Sequence, residues 1–294
     1  YITRYKNDTG LFYDRNEAQD GKRYRIGMEI GEIWGYVTDG FYTADDFTFD
    51  AEKGTYALKA GVNDCSSLIG GKVYPGSIKL KANEDGEYKK ERLGNTVPTV
   101  SGGFGLNARW KGFDFTAFFN YSLGNKIVNA TKLGSSFYSG SSKNWNINDH
   151  FTSANRYSWI DPSTGTNLLS SASIKANGEA WTINRLNEVN TGSSIWNPAA
   201  ATVMPLVDWA VEDGSFLRVN NITIGYTLPK LFVSKLNIQN IRIYVTGYNL
   251  HCFTKYSGTD PEVDCCTSTP MTPGIDYAAY PKSRSFVGGI NVTF

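Results

Sequence analysis

Bond-making chemistry needs a nucleophile held against a base, or two carboxylates at a defined separation. The acidic candidates in this sequence are Asp45-Asp46, Glu212-Asp213 and the trio Asp260, Glu262 and Asp264. All fall in loops or at strand ends, and none has a His or Lys partner at a useful spacing. Solvated loop acids are the expectation for them. The two histidines, His150 and His251, stand apart. His150 lies in NDHFTSANRY, where Asn148 or Asp149 could cap a short helix, and a surface imidazole is expected. The four cysteines, Cys65, Cys252, Cys265 and Cys266, form no C-x-x-C pair. That pattern does not describe a zinc site, and no metal or other cofactor is expected. In an oxidising compartment Cys252 could pair with Cys265 or Cys266. The chain reads as a non-enzyme.

Side chains suited to holding a ligand are more plentiful. Phe137, Tyr138, Trp145, Tyr157, Trp159, Trp181, Trp196 and Trp209 fall in one long stretch between strands. Aromatic rings flanked by amides and carboxylates stack on sugar rings and peptide side chains. The same residues could instead fix the loop or pack on a partner. Tyr138, Trp145, Trp159, Trp181 and Trp196 are the candidates for contact with a substrate or a covering partner.

The elements that must position them are strands. GFGLNARW (103–110) puts Phe104, Leu106, Ala108 and Trp110 on one face and Gly105, Asn107 and Arg109 on the other. Lys111-Gly112 is a tight-turn signal. FDFTAFFNYSLG then alternates again, with Phe113, Phe115, Ala117, Phe119, Tyr121 and Leu123 opposite Asp114, Thr116, Phe118, Asn120 and Ser122. The pattern recurs in 214–228, 240–250 and 285–294, and an earlier strand is expected at 30–38. Short connections alternate with the long stretches 39–99, 124–213 and 251–282. Strands of about ten residues with that loop asymmetry describe an outer-membrane barrel better than a sandwich, whose strands are shorter.

Composition agrees. Basic and acidic residues balance at 29 and 28, which excludes a dedicated nucleic-acid binder. With 18 Tyr, 16 Phe, 7 Trp and 30 Gly, the chain is rich in strand and turn formers. Its mean hydropathy is nevertheless −0.34, as alternating strands and wet loops require. There is no run of 18 or more apolar residues, so no membrane-spanning helix is expected. The opening YITRYKNDTG has neither a charged n-region nor an apolar h-region, so it is not read as a signal peptide.

Six stretches carry a family resemblance: IGEIWGYVTDGFY (30–42), YPGSIKLKANEDG (74–86), GNTVPTVSGGFGLNARWKGFDFTAFFNYSLGNKIVNA (94–130), EDGSFLRVNNITIGYTLPK (212–230), IRIYVTGYNLHCFTKYSGTDPEV (241–263) and GIDYAAYPKSRSFVGGINVTF (274–294). In order and spacing the chain resembles the C-terminal barrel region of SusC/RagA-type TonB-dependent outer-membrane transporters. The fold this implies is all-β, the C-terminal strands of a large antiparallel transmembrane β-barrel with long extracellular loops. Residues 1–294 would be the C-terminal part of a barrel of about 22 strands, with the plug domain and earlier strands lying outside this chain.

The implied function is TonB-energised uptake of oligosaccharides or oligopeptides across the cell outer membrane, by a multi-pass β-barrel. Implied partners are a SusD-like surface lipoprotein that lids the barrel, the TonB complex acting on an N-terminal segment, the barrel-assembly machinery and the lipid bilayer, with no nucleic acid. Asn107, Arg109, Asp114, Asn120, Asn221, Thr223, Arg242 and Asn291 are expected to face the lumen. The resemblance assigns the terminal aromatic Phe294, with Val292 and Ile290 behind it, to the assembly signal. Where the family carries D-x-N-x-D-G, this chain reads Lys81-Ala82-Asn83-Glu84-Asp85-Gly86, with lysine at the first ligand position of a hard-cation loop. Two other readings compete: a passive porin-like channel, and a soluble glycan-binding β-sandwich with Phe104, Phe115, Ile222 and Val292 buried between sheets.

Overall fold

The computed structural model describes residues 29, 31–138, 146–233, 238–262, 274–277 and 280–294. In chain order its elements are β1 (Glu32–Gly35), β2 (Thr38–Phe41), β3 (Phe47–Asp50), β4 (Thr55–Leu58), β5 (Ile78–Leu80), β6 (Glu91–Asn95), β7 (Val100–Trp110), β8 (Phe113–Leu123), β9 (Lys126–Asn129), α1 (Ala130–Gly134), α2 (Ser171–Val189), β10 (Val211–Asp213), β11 (Phe216–Thr227), α3 (Lys230–Val233), β12 (Asn240–Thr254), β13 (Ile275–Asp276) and β14 (Ser285–Thr293). No helix among the described residues is long and apolar enough to cross a membrane.

The long strands form one antiparallel sheet in the order β14-β12-β11-β8-β7. Strand boundaries follow the alternating runs, and the hairpin β7–β8 turns on Lys111 and Gly112, both at positive φ (46° and 89°). That pair of angles matches the right-handed twist of the flanking strands, which is why two residues suffice. Pairing register aligns the faces. One apolar row runs Trp110, Phe113, Tyr226, Ile243 and Ile290, and the next Ala108, Phe115, Ile224 and Val245. Among the described residues this face has no covering layer: Phe104 is 46% and Val292 43% exposed. The arrangement is not a sandwich, in which all four marker residues would sit between sheets.

The sheet's two ends differ. At one end strands are joined by residues 111–112 and 228–239; at the other stand the long connections 124–215 and 255–284 and the residues before β7. These long segments are not loops in the ordinary sense. Residues 31–99, 124–138, 146–213 and 274–277 pack into one core, or cap, that includes Ile33, Tyr42, Phe47, Ile78, Leu80, Ile174, Leu186, Trp196 and Val207, all buried. Each large apolar side chain so buried contributes about 1.5–3 kcal/mol.

Two expectations are corrected. The stretch 30–38 is not a sixth wall strand: β1 pairs with β6, β2 with β5, and Ile33 and Tyr36 enter the cap core. Alternation alone cannot distinguish a strand facing lipid from one half-buried in protein, since both repeat every two residues. The residues after Asn148 form no helix. Asn148 Oδ1 instead accepts the His150 backbone N–H at 3.0 Å, closing a turn. Helix α2 lies in the stretch that lacked any resemblance. Ser170 caps it by accepting the Ser173 N–H, and Gly178, at φ 78°, breaks it.

Candidate functional site: the polar face and its cap

The second face of the sheet is polar, and register brings the expected residues onto it. Asn107 accepts a hydrogen bond from the Thr116 hydroxyl at 3.0 Å. Thr116 lies opposite Thr223, whose hydroxyl meets that of Thr246 at 2.8 Å. Arg109 stands opposite Asp114, and Asn291 opposite Arg242. Asn120 and Asn221 share the face by their spacing from Thr116 and Thr223. Ile290, Val292 and Phe294 alternate onto the apolar face, where Phe294 is 80% exposed.

Two ion clusters organise the polar face. Arg242 grips Asp114 with both arms, Nε to Oδ1 at 2.9 Å and Nη2 to Oδ2 at 2.5 Å. These residues belong to β12 and β8, so the pair bridges β11, at Gly225. A methyl group there would lie 2.5 Å from Asp114 Oδ1 and 2.6 Å from Arg242 Nη2. The second cluster lies at the cap end, with Arg218 and Asp260 buried and Glu262 half-buried. Arg218 donates to Asp260 at 2.5 Å and sets Nε 2.5 Å from Glu262, whose carboxylate also takes Lys282 at 2.8 Å and the Asn120 amide at 3.2 Å. Asp260 and Glu262 are therefore not solvated loop acids. Burial of two carboxylates is offset by two cations and clamps residues 260–262 and 282 against the sheet. Sequence reasoning missed Arg218; its signal was an arginine in the otherwise apolar run FLRV.

Glu212 is likewise paired. Burial pushes its carboxyl upward, but the Ser257 N–H and hydroxyl and the Lys132 ammonium 3.1 Å away prevail and hold it below the ordinary value. Tyr256 donates to Asp276 at 2.6 Å, and burial together with that carboxylate pushes its phenol well up. In the KANEDG loop, Lys81 pairs with Glu91 at 2.9 Å. The first position therefore carries a cation and not a ligand. No group of three metal-ligating side chains occurs among the described residues. Among the described residues, Cys65 and Cys252 carry free thiols. Cys265, Cys266 and Asp264 lie outside the described residues.

No family model matches the chain. It is 30% identical over 275 residues to TonB-dependent receptor P3 of Formosa agariphila, covering 92% of this chain and 23% of that protein. It is 34% identical over 89 residues to TonB-dependent receptor SusC of Bacteroides thetaiotaomicron, covering 30% of this chain and 8% of that protein. The chain belongs to the SusC/RagA-type TonB-dependent transporters. The solved structure of the RagAB peptide importer in its closed-closed state shares the fold, with a TM-score of 0.58 at 22% identity, covering 94% of this chain and 24% of that one. The chain thus spans about a quarter of the length of the transporters it matches over most of its length.

In this SusC/RagA-type segment the cap aromatics divide by burial. Trp196 is 4% exposed, its ring enclosed by Phe151 and Trp209 and its indole N–H donated to the Ser136 carbonyl. It packs the core, so contact with substrate or a partner is corrected for this residue. Trp159 is half-buried against Tyr74 and donates to the Pro75 carbonyl at 2.6 Å. Tyr138 and Trp181 are exposed, at 50% and 43%. Trp145 lies outside the described residues.

Proposed function

We propose that this chain supplies wall and cap to an outer-membrane importer that takes up oligosaccharides or oligopeptides with energy from TonB. The observation that supports this best is the division of the five-stranded sheet: one face apolar and uncovered by the described residues, the other carrying charge pairs and hydroxyls, with the described parts of the long connections gathered at one end. In this reading the apolar face meets lipid, and the face bearing Asn107, Arg109, Asp114, Asn120, Asn221, Thr223, Arg242 and Asn291 lines the lumen. The cap is extracellular. Tyr138 and Trp181 are the cap aromatics free to meet a substrate or a SusD-like lipoprotein lid, with Trp159 offering one edge. The plug and the segment on which TonB pulls would come from parts of the protein beyond this chain. Ile290, Val292 and Phe294 serve assembly by the barrel-insertion machinery.

The test is uptake by cells that make the full-length protein. Import of labelled oligosaccharide or peptide pools should cease when either this gene or TonB is removed. Uptake that survives loss of TonB would replace the reading with a passive channel.

A further inference from the structure

At the cap end of the polar face, the sheet and the clamped segment 260–262 line a cavity of 430 Å³ that is open to solvent. That volume lies in the range of ligand pockets, about 300–1,000 Å³. Its wall includes Ser101, Asn120, Ser122, Asn125, Phe216 and Glu262. We propose that this cavity is a subsite for a neutral, hydroxyl-rich ligand, an oligosaccharide and not a peptide; the inference rests on the import reading above.

The first argument is an unmet acceptor. Asn120 Oδ1 is buried without a hydrogen-bond partner, while its Nδ2 donates to Glu262 at 3.2 Å. Exchanging the amide's ends would set its oxygen against the carboxylate, so the acceptor is left for a donor from elsewhere. A ligand hydroxyl supplies one, and a buried acceptor gains disproportionately when paired. The second argument is charge. Asp260 and Glu262 are matched by Arg218 and Lys282, at 2.5 Å and 2.8 Å. The cluster therefore has no net charge to offer the terminus of a peptide or an acidic sugar, although Arg218 Nε, like Asn120 Oδ1, is buried without a hydrogen bond of its own. The third is the lining itself. Hydroxyls and amides beside the Phe216 and Tyr121 rings, Ile127 and Pro261 suit a sugar, which is polar at its edges and apolar on its ring faces.

The experiment uses the full-length transporter with its lipoprotein partner, purified in detergent. It is offered to an array of neutral and anionic oligosaccharides of about four to ten units and to peptides of matching length. Neutral glycans should be retained. Asn120→Leu should weaken that retention about tenfold, and Ser101→Ala about threefold. Both variants should keep the heat-modifiable migration of a folded barrel. If Asn120→Leu fails to fold, Ser101→Ala still carries the test. Preferential retention of peptides or anionic glycans would overturn the assignment while leaving import intact. So would neutral glycan retention unchanged in every variant that folds. Retention of neither class, together with no uptake by cells, would overturn the import reading itself.

Discussion

Gly225 shows how one residue can be fixed by what passes over it. Its backbone is ordinary strand; what the position cannot accommodate is a side chain. The Asp114–Arg242 pair reaches from β8 to β12 across β11, and a Cβ at 225 would meet both partners at 2.5–2.6 Å. Gly225→Ala should therefore cost about 1–3 kcal/mol, as overpacking does, read as a lower unfolding midpoint of the full-length barrel in detergent. The cause can be separated from any general strand effect. In an Asp114→Asn, Arg242→Gln background the ion pair is gone and the amides are free to swing aside, so the added methyl should cost much less. Equal losses in both backgrounds would show that the bridge does not dictate the glycine.

At the scale of elements, the cap is held by ties that alternation cannot reveal. Asp161, in the turn before α2, accepts Arg185 Nε at 2.7 Å and Nη2 at 2.8 Å. These bonds, with those from the Ser163 hydroxyl and N–H, hold its carboxyl well below the usual range. A depressed folded value means the tie stabilises above the ordinary aspartate value and is lost as pH falls through it. Amide-exchange protection over residues 158–190 should stay level from neutral pH to about 5 and fall below about 4. Arg185→Met should lower that protection at neutral pH and flatten its fall; an unchanged profile would count against the tie. The sequence made the wall legible because each wall strand runs nine or more residues and β7, β8 and β11 end beside a glycine or proline turn signal. It did not make the cap legible. Residues 32–35 alternate in burial as a wall strand does, yet β1 and β2 run only four residues each and pair with segments over 35 positions away. Helix α2 is interrupted at Gly178 and has a weak apolar stripe, so no helical period stood out. The polar-face residues could be read from parity, whereas Arg218 with Asp260 and Glu262 depends on a loop returning to a strand 42 positions away.

At the scale of the molecule, the sheet's two faces imply two solvents, and each makes a separate prediction. Phe294 stands at the end of β14, 80% exposed on the apolar side. If it serves assembly, its deletion should reduce surface levels of the protein while leaving substrate affinity of the molecules that do assemble unchanged; normal surface levels would refute that role. The sharper comparison uses neighbours on one strand. Ile224 is 56% exposed, in a row with Phe115 and Val245. Thr223, next to it, hydrogen-bonds Thr246 on the opposite face. In water a lysine at either position would cost little, and at Ile224 it would add solubility. Facing hydrocarbon, Ile224→Lys should cost about 2–4 kcal/mol, because the ammonium loses its hydration near the middle of the bilayer. Thr223→Lys keeps its charge among polar groups, so its cost should be limited to the lost threonine pair, about 1 kcal/mol. Equilibrium urea unfolding of the full-length protein from lipid vesicles measures both. A penalty at 224 exceeding that at 223 requires lipid on the apolar face, and equal small effects would mean that the face is wet.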